Sequence, residues 1–115
     1  MPIDVSQVIA LSADLGKAGV LTALKAQKVV AKTAHDIEAT AKSLAPVDTG
    51  ALRSSISATV GGLSAEIGPS VNYAVFLEFG TSKMAPHPFM GPAVDRHAPA
   101  FENALEQLAA EALDG

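Results

Sequence analysis

The sequence predicts an α+β fold, with a long N-terminal helix and a C-terminal helix packed on a small antiparallel sheet. Three observations carry this. Apolar residues recur at helical spacing over residues 20–45, change to strict alternation about a Gly-Gly pair in a hairpin of about residues 54–68, and return to helical spacing beyond a proline-rich stretch at 81–92. With 115 residues, the chain is expected to form a single domain, 1–115.

Each element has its own signal. Val5, Val8, Ile9, Leu11 and Leu15 make a loose helical pattern over residues 4–15, with Asp4 placed as an N-cap, and Gly16 and Gly19 bracket a break. In the long helix Ala23, Val30, Ile37 and Leu44 recur every seven residues with Ala34 and Ala41 between them, one apolar stripe facing a partner surface. Pro46 ends that helix, because it lacks an amide donor and its predecessor avoids helical angles. Ile56, Ala58 and Val60 then alternate with Ser55, Ser57 and Thr59, while Leu63, Ala65 and Ile67 alternate with Ser64 and Glu66. Gly61-Gly62 between them suits a tight hairpin turn. Ser54-Ser55 beside Arg53 reads as the entry of the first strand.

Residues 71–79 fit two patterns: a strand through Val71, Tyr73, Val75, Leu77 and Phe79, or a short helix through Tyr73, Ala74, Phe76 and Leu77. Gly80 ends the element in both. Pro86, Pro88, Gly91 and Pro92 predict a long apolar loop at 81–92, ordered or bound to a partner. A second helix follows over about 92–113, with Phe101, Leu105, Leu108 and Ala112 on one face. Pro99 is a candidate for the start of its regular part.

Composition narrows the function classes. The net charge of -4 argues against free nucleic acid as the main partner, since backbone binding needs a basic surface. There is no cysteine, so disulfides and thiolate chemistry are excluded. No apolar run approaches the ~18 residues of a membrane span, and Met1-Pro2-Ile3-Asp4 does not open a signal peptide, which predicts a protein made and kept in a cytosol. Lys25, Lys28 and Lys32 share roughly one helical face, and Glu102, Glu106, Glu111 and Asp114 crowd the last segment. They are either two solvated faces or faces that meet, within a subunit or between neighbours.

Three candidate chemistries stand out. Asp48-Thr49-Gly50 matches the catalytic loop of dimeric aspartic proteases. It follows a helix-ending proline rather than a buried strand, so a turn in which Asp48 or Thr49 accepts downstream amides is the simpler reading. His87, Asp95 and His97 could form a metal site, but their spacing does not place both histidines on one helix face. Met84, Phe89 and Met90 sit among prolines. They are read either as an adaptable contact surface for a neighbour or, for Phe89, as part of the chain's own core.

The ordered series Ala45-Pro46-Val47-Asp48-Thr49-Gly50-Ala51-Leu52-Arg53-Ser54-Ser55-Ile56, then Tyr73 to Thr81 (YAVFLEFGT), then Pro86-His87-Pro88-Phe89-Met90-Gly91-Pro92-Ala93, resembles the gp-ten-like neck and tail-component family of lambdoid siphophages and their prophages. The resemblance implies a structural virion protein made in the bacterial host cytoplasm. It implies a subunit of an oligomeric ring in the neck, a head–tail connector acting in head–tail joining or tail completion, without catalysis or cofactor. The partners implied are further copies and neighbouring neck, head-completion and tail-tube proteins, with DNA passing through the ring and no membrane. Asp48, Thr49 and Gly50 would fix a structural turn. Tyr73, Glu78, Gly80 and Thr81 would form a packed corner, with Glu78 paired to Arg53 or Lys83 if buried. Met84, Phe89 and Met90 would contact a neighbour, and Lys25, Lys28, Lys32, Glu102 and Glu106 could form a charged interface. The alternatives are a tail-terminator ring, or a small hydrolase using Asp48 or His87, Asp95 and His97.

Overall fold

The computed structural model describes residues 9–12, 20–46 and 50–114. In chain order they form β1 (Ile9–Ser12), α1 (Val20–Leu44), α2 (Ala51–Ser55), β2 (Ser57–Gly61), β3 (Ser64–Gly68), α3 (Ala74–Phe79) and α4 (Met90–Asp114). The fold is α+β, as predicted: two long helices flank a small antiparallel sheet.

The sheet has the order β1-β3-β2. The hairpin pairs Ala58 with Ile67 and Val60 with Ala65, and its turn places Gly62 at φ +59°, where glycine is favoured. Ile56, Ala65 and Ile67 are buried, whereas Val60 at the tip is 36% exposed. The third strand corrects the expectation of a helix over 4–15. Residues 9–12 pair with β3, Ile9 opposite Ile67 and Leu11 opposite Ala65. Ile-Ala-Leu-Ser is too short to reveal its period, and an otherwise open edge of β3 decides its conformation. Asp4, Val5, Val8 and Leu15 from that expectation lie outside the described residues.

Along α1 the buried positions are Ala26, Val30, Thr33, Ala34, Ile37 and Ala41, continuing to Ala45 beyond its last turn. The middle of the predicted stripe is therefore correct and its ends are not: Ala23 is only half-buried and Leu44 is 37% exposed. A strict seven-residue repeat drifts by ~20° per heptad on a straight helix, so three heptads rotate its ends off the buried line.

The strand entry expected at Ser54-Ser55 is instead the short helix α2. Gly50 opens it at φ 76°, the Ser54 amide donates to the Gly50 carbonyl at 2.9 Å, and Leu52 anchors it in the core. Ile56 then returns the chain to extended geometry.

Helix α4 begins at Met90 and runs through Pro99, earlier than the expected start at 92 and without a restart at Pro99, which is exposed. It packs antiparallel to α1. Thr40 Oγ1 and His97 Nε2 are 2.7 Å apart at one end of the pair, and Lys25 Nζ reaches Glu111 Oε2 at 3.4 Å at the other. Alanines 26, 34 and 41 of α1 and Ala93 of α4 are fully buried. Small side chains there let the two helices and the sheet approach closely.

Candidate subunit-contact surface

Helix α3 resolves the ambiguity of residues 71–79. Ala74 and Glu78, one turn apart, face inward and are buried. A charged residue is rarely buried without partners, and Glu78 has three. Its Oε1 accepts the amides of Phe89 at 3.1 Å and Met90 at 2.9 Å, and its Oε2 accepts the amide of Gly91 at 3.1 Å. These are the first amides of α4, which have no partner within their own helix. The fourth position is Pro92, which has no amide hydrogen, and the Ala93 amide donates to the Phe89 carbonyl at 3.3 Å, starting the helical ladder. Every N-terminal donor of α4 is thus accounted for, and a carboxylate sits where the helix dipole favours negative charge. The partner of Glu78 is therefore backbone, not Arg53 or Lys83 as expected. The Nε of Arg53 is itself buried without a hydrogen-bond partner.

The same contact explains two glycines. A Cβ on Gly91 would lie 3.2 Å from Glu78 Oε2. Gly80, at φ +77°, donates to the Phe76 carbonyl at 2.7 Å, and a Cβ there would lie 2.8 Å from the Met84 carbonyl oxygen. Beyond Gly80, Thr81 and Met84 exchange backbone bonds of 2.9 and 3.3 Å, and the His87 amide donates to Leu77 at 2.6 Å. The proline-rich segment is thus an ordered loop folded back on α3.

This geometry revises the expected contact residues. Phe89 and Met90 are fully buried in the core with Ala93, because the Glu78 cap pulls the start of α4 inward; they are not offered to a neighbour. Met84 remains 36% exposed. Of the expected packed corner, Glu78 is buried and Gly80 is tightly hemmed in, but Thr81 is exposed and Tyr73 is 43% exposed. Asp48 and Thr49 lie outside the described residues.

Tyr73, Phe76 and Phe79 recur every third residue, on the side of α3 away from Ala74 and Glu78. Phe76 is 52% and Phe79 67% exposed, and with Tyr73 and Met84 they form an apolar ridge. Sequence reasoning missed Phe76 and Phe79. The signal was the helical reading of 71–79, which places Ala74 and Glu78 on one side and the aromatics on the other. A second apolar feature is a cleft of about 520 Å³ lined by Leu24, Lys25, Gln27, Lys28, Ala31, Val60 and Gly62. It was missed because it joins α1 to the hairpin tip.

The charged residues divide. Lys25 meets Glu111 within the chain, Lys32 pairs with Asp36 at 2.6 Å, and Glu38 is approached by Lys42 and His35. Among the described residues Lys28, Glu102 and Glu106 make no ion pair and are exposed. His87, Asp95 and His97 do not converge: His97 is engaged by Thr40 between the helices, while His87 lies exposed on the loop and Asp95 is exposed on α4. Among the described residues no group of three His, Asp or Glu side chains could hold a metal ion, and no helix is long and apolar enough to cross a membrane.

No curated protein and no solved structure gives a significant match to the chain. One family does match, that described as "Bacteriophage HK97-gp10, putative tail-component", over residues 9–80. That span runs from β1 through the hairpin to Gly80 and includes the first motif block and the second up to Gly80. The ordered elements and the ridge thus lie largely within a sequence pattern of virion structural proteins, and the chain belongs to the HK97-gp10-like family of bacteriophage tail components.

Proposed function

We propose that this phage structural component is the subunit of an oligomeric ring in the neck, joining head to tail without catalysis. The observation that supports this reading best is the α3 ridge. Tyr73, Phe76 and Phe79 stand exposed on α3 and its N-cap, and Met84 is exposed on the loop that follows, while Glu78 and Gly80 between them are hydrogen-bonded to backbone. Exposed apolar surface of this kind marks a protein contact. Its partners would be further copies of the chain and the neighbouring head-completion and tail-tube or terminator proteins, with DNA passing through the ring. The net charge of -4 suits a passage that does not grip its cargo.

Light scattering with negative-stain imaging tests this, on the chain alone and mixed with the portal-adaptor and tail-tube proteins of the same phage. The expected result is a closed ring, formed alone or in the mixture. A chain that stays monomeric or closes into a dimer in every mixture overturns the ring reading.

A further inference from the structure

The ridge and the cleft are unlike surfaces at opposite ends of α1. The cleft is built on Leu24–Ala31 with the hairpin tip at Val60 and Gly62. The ridge belongs to α3, which Glu78 ties to the start of α4. That start lies near the far end of α1, where His97 meets Thr40. From Lys28 to Thr40 alone, a helical rise of ~1.5 Å per residue separates them by about 18 Å. The molecule is elongated, 56 × 23 × 20 Å.

We infer that the aromatic ridge of one copy, centred on Phe76 and Phe79, seats in the Leu24–Val60 cleft of a second copy. This deepens the ring reading and rests on it. Three features favour a second copy as the occupant. The first is area. With large side chains presenting ~200 Å² each, the exposed fractions of Tyr73, Phe76, Phe79 and Met84 amount to about 400 Å² of apolar surface. This is about half of the ~800 Å² that each partner contributes to a standard interface. Ridge against ridge would bring two convex surfaces together and leave the cleft open. Ridge into cleft matches convex to concave and uses both on every copy. The second is charge. Lys28 borders the cleft and makes no ion pair among the described residues, and an ammonium there is attracted to the face of an incoming aromatic ring. The third is geometry. Unlike surfaces on opposite ends produce a head-to-tail contact, which closes into a ring when the rotation permits.

The chain contains no cysteine, so crosslinking can be placed at will. Three variants that keep Phe76 and Phe79 would be oxidised at assembling concentration, with the neighbouring neck proteins if the wild type needs them: Ser82→Cys, between Phe79 and Met84 in the chain, Gln27→Cys on the cleft wall, and the double variant. Both positions of change are exposed, and circular dichroism checks folding. The expected result is a ladder of covalent multimers from the double variant and no crosslink from either single one. Ser82→Cys alone giving dimers would mean ridge-to-ridge pairing and overturn the inference. Absence of any crosslink from the double variant, where the wild type forms rings, would overturn it too, while leaving the ring reading intact. A wild type that never assembles fails at the earlier step and removes both. In addition, Phe79→Glu should weaken association at least about thirtyfold, the scale of a truncated interface anchor. An unchanged association constant would place the contact elsewhere.

Discussion

Glu78 is the residue on which the geometry of this chain turns. Three amides that would otherwise be orphaned converge on its carboxylate, two of them from the buried Phe89 and Met90. Leaving buried donors unsatisfied costs about 1–3 kcal/mol, so Glu78→Ala should lower unfolding free energy by about 3 kcal/mol in denaturant titration. Glu78→Gln keeps one acceptor oxygen but turns an NH₂ toward an N–H donor and removes the charge, so it should cost less than alanine but clearly more than zero. A loss below about 0.5 kcal/mol for the alanine variant would mean that water or a rearranged turn replaces the cap. The sequence made part of this legible: a carboxylate in an apolar element demanded a partner. It pointed to Arg53 and Lys83 because side-chain charges can be read from a sequence, whereas the free amides of a helix start 12 residues downstream cannot until the fold brings them back.

The elements show where periodicity suffices and where it does not. Helix α1 was legible because its pattern runs for seven turns, long enough to average over local accidents; only the drift of the seven-residue repeat misplaced its ends. The hairpin was legible because alternation and a Gly-Gly turn agree. Strand β1, four residues long, was not, since its conformation depends on pairing with β3. The proline-rich stretch 81–92 reads as a loop, ordered or partner-bound; its bonds to α3 show order up to Phe89, and from Met90 it is already helix. Of the two readings of Phe89, contact surface or the chain's own core, the burial supports the core. Because Phe89 is fully buried, Phe89→Ala should cost about 3–5 kcal/mol of folding stability. Assembly should fall only in proportion to the folded fraction. Loss of assembly at full folding stability, measured by thermal unfolding beside light scattering, would return Phe89 to the interface.

At the scale of the whole molecule, the Cα radius of gyration is 15.9 Å, against about 13 Å for a compact chain of this length. Among the described residues, the outer turns of α4 bury only Leu108 well, with Phe101 and Leu105 half-covered. A shape this extended leaves little core per residue, so association is expected to supply part of the stability. Anything that binds only the folded state stabilises it by mass action, by about 2.7 kcal/mol when its concentration is 100 times Kd. At roughly 4 °C per kcal/mol for a domain of this size, Tm should rise by about 10 °C between dilution well below Kd and that concentration. Phe79→Ser tests whether the ridge is responsible. The side chain is 67% exposed, so the monomer loses little packing and its Tm at high dilution should stay within about 2 °C of wild type, as surface substitutions do. The rise with concentration should disappear. A variant whose Tm still climbs would show that the ridge is not where copies meet; one already destabilised at high dilution would show that Phe79 supports the fold of α3 itself.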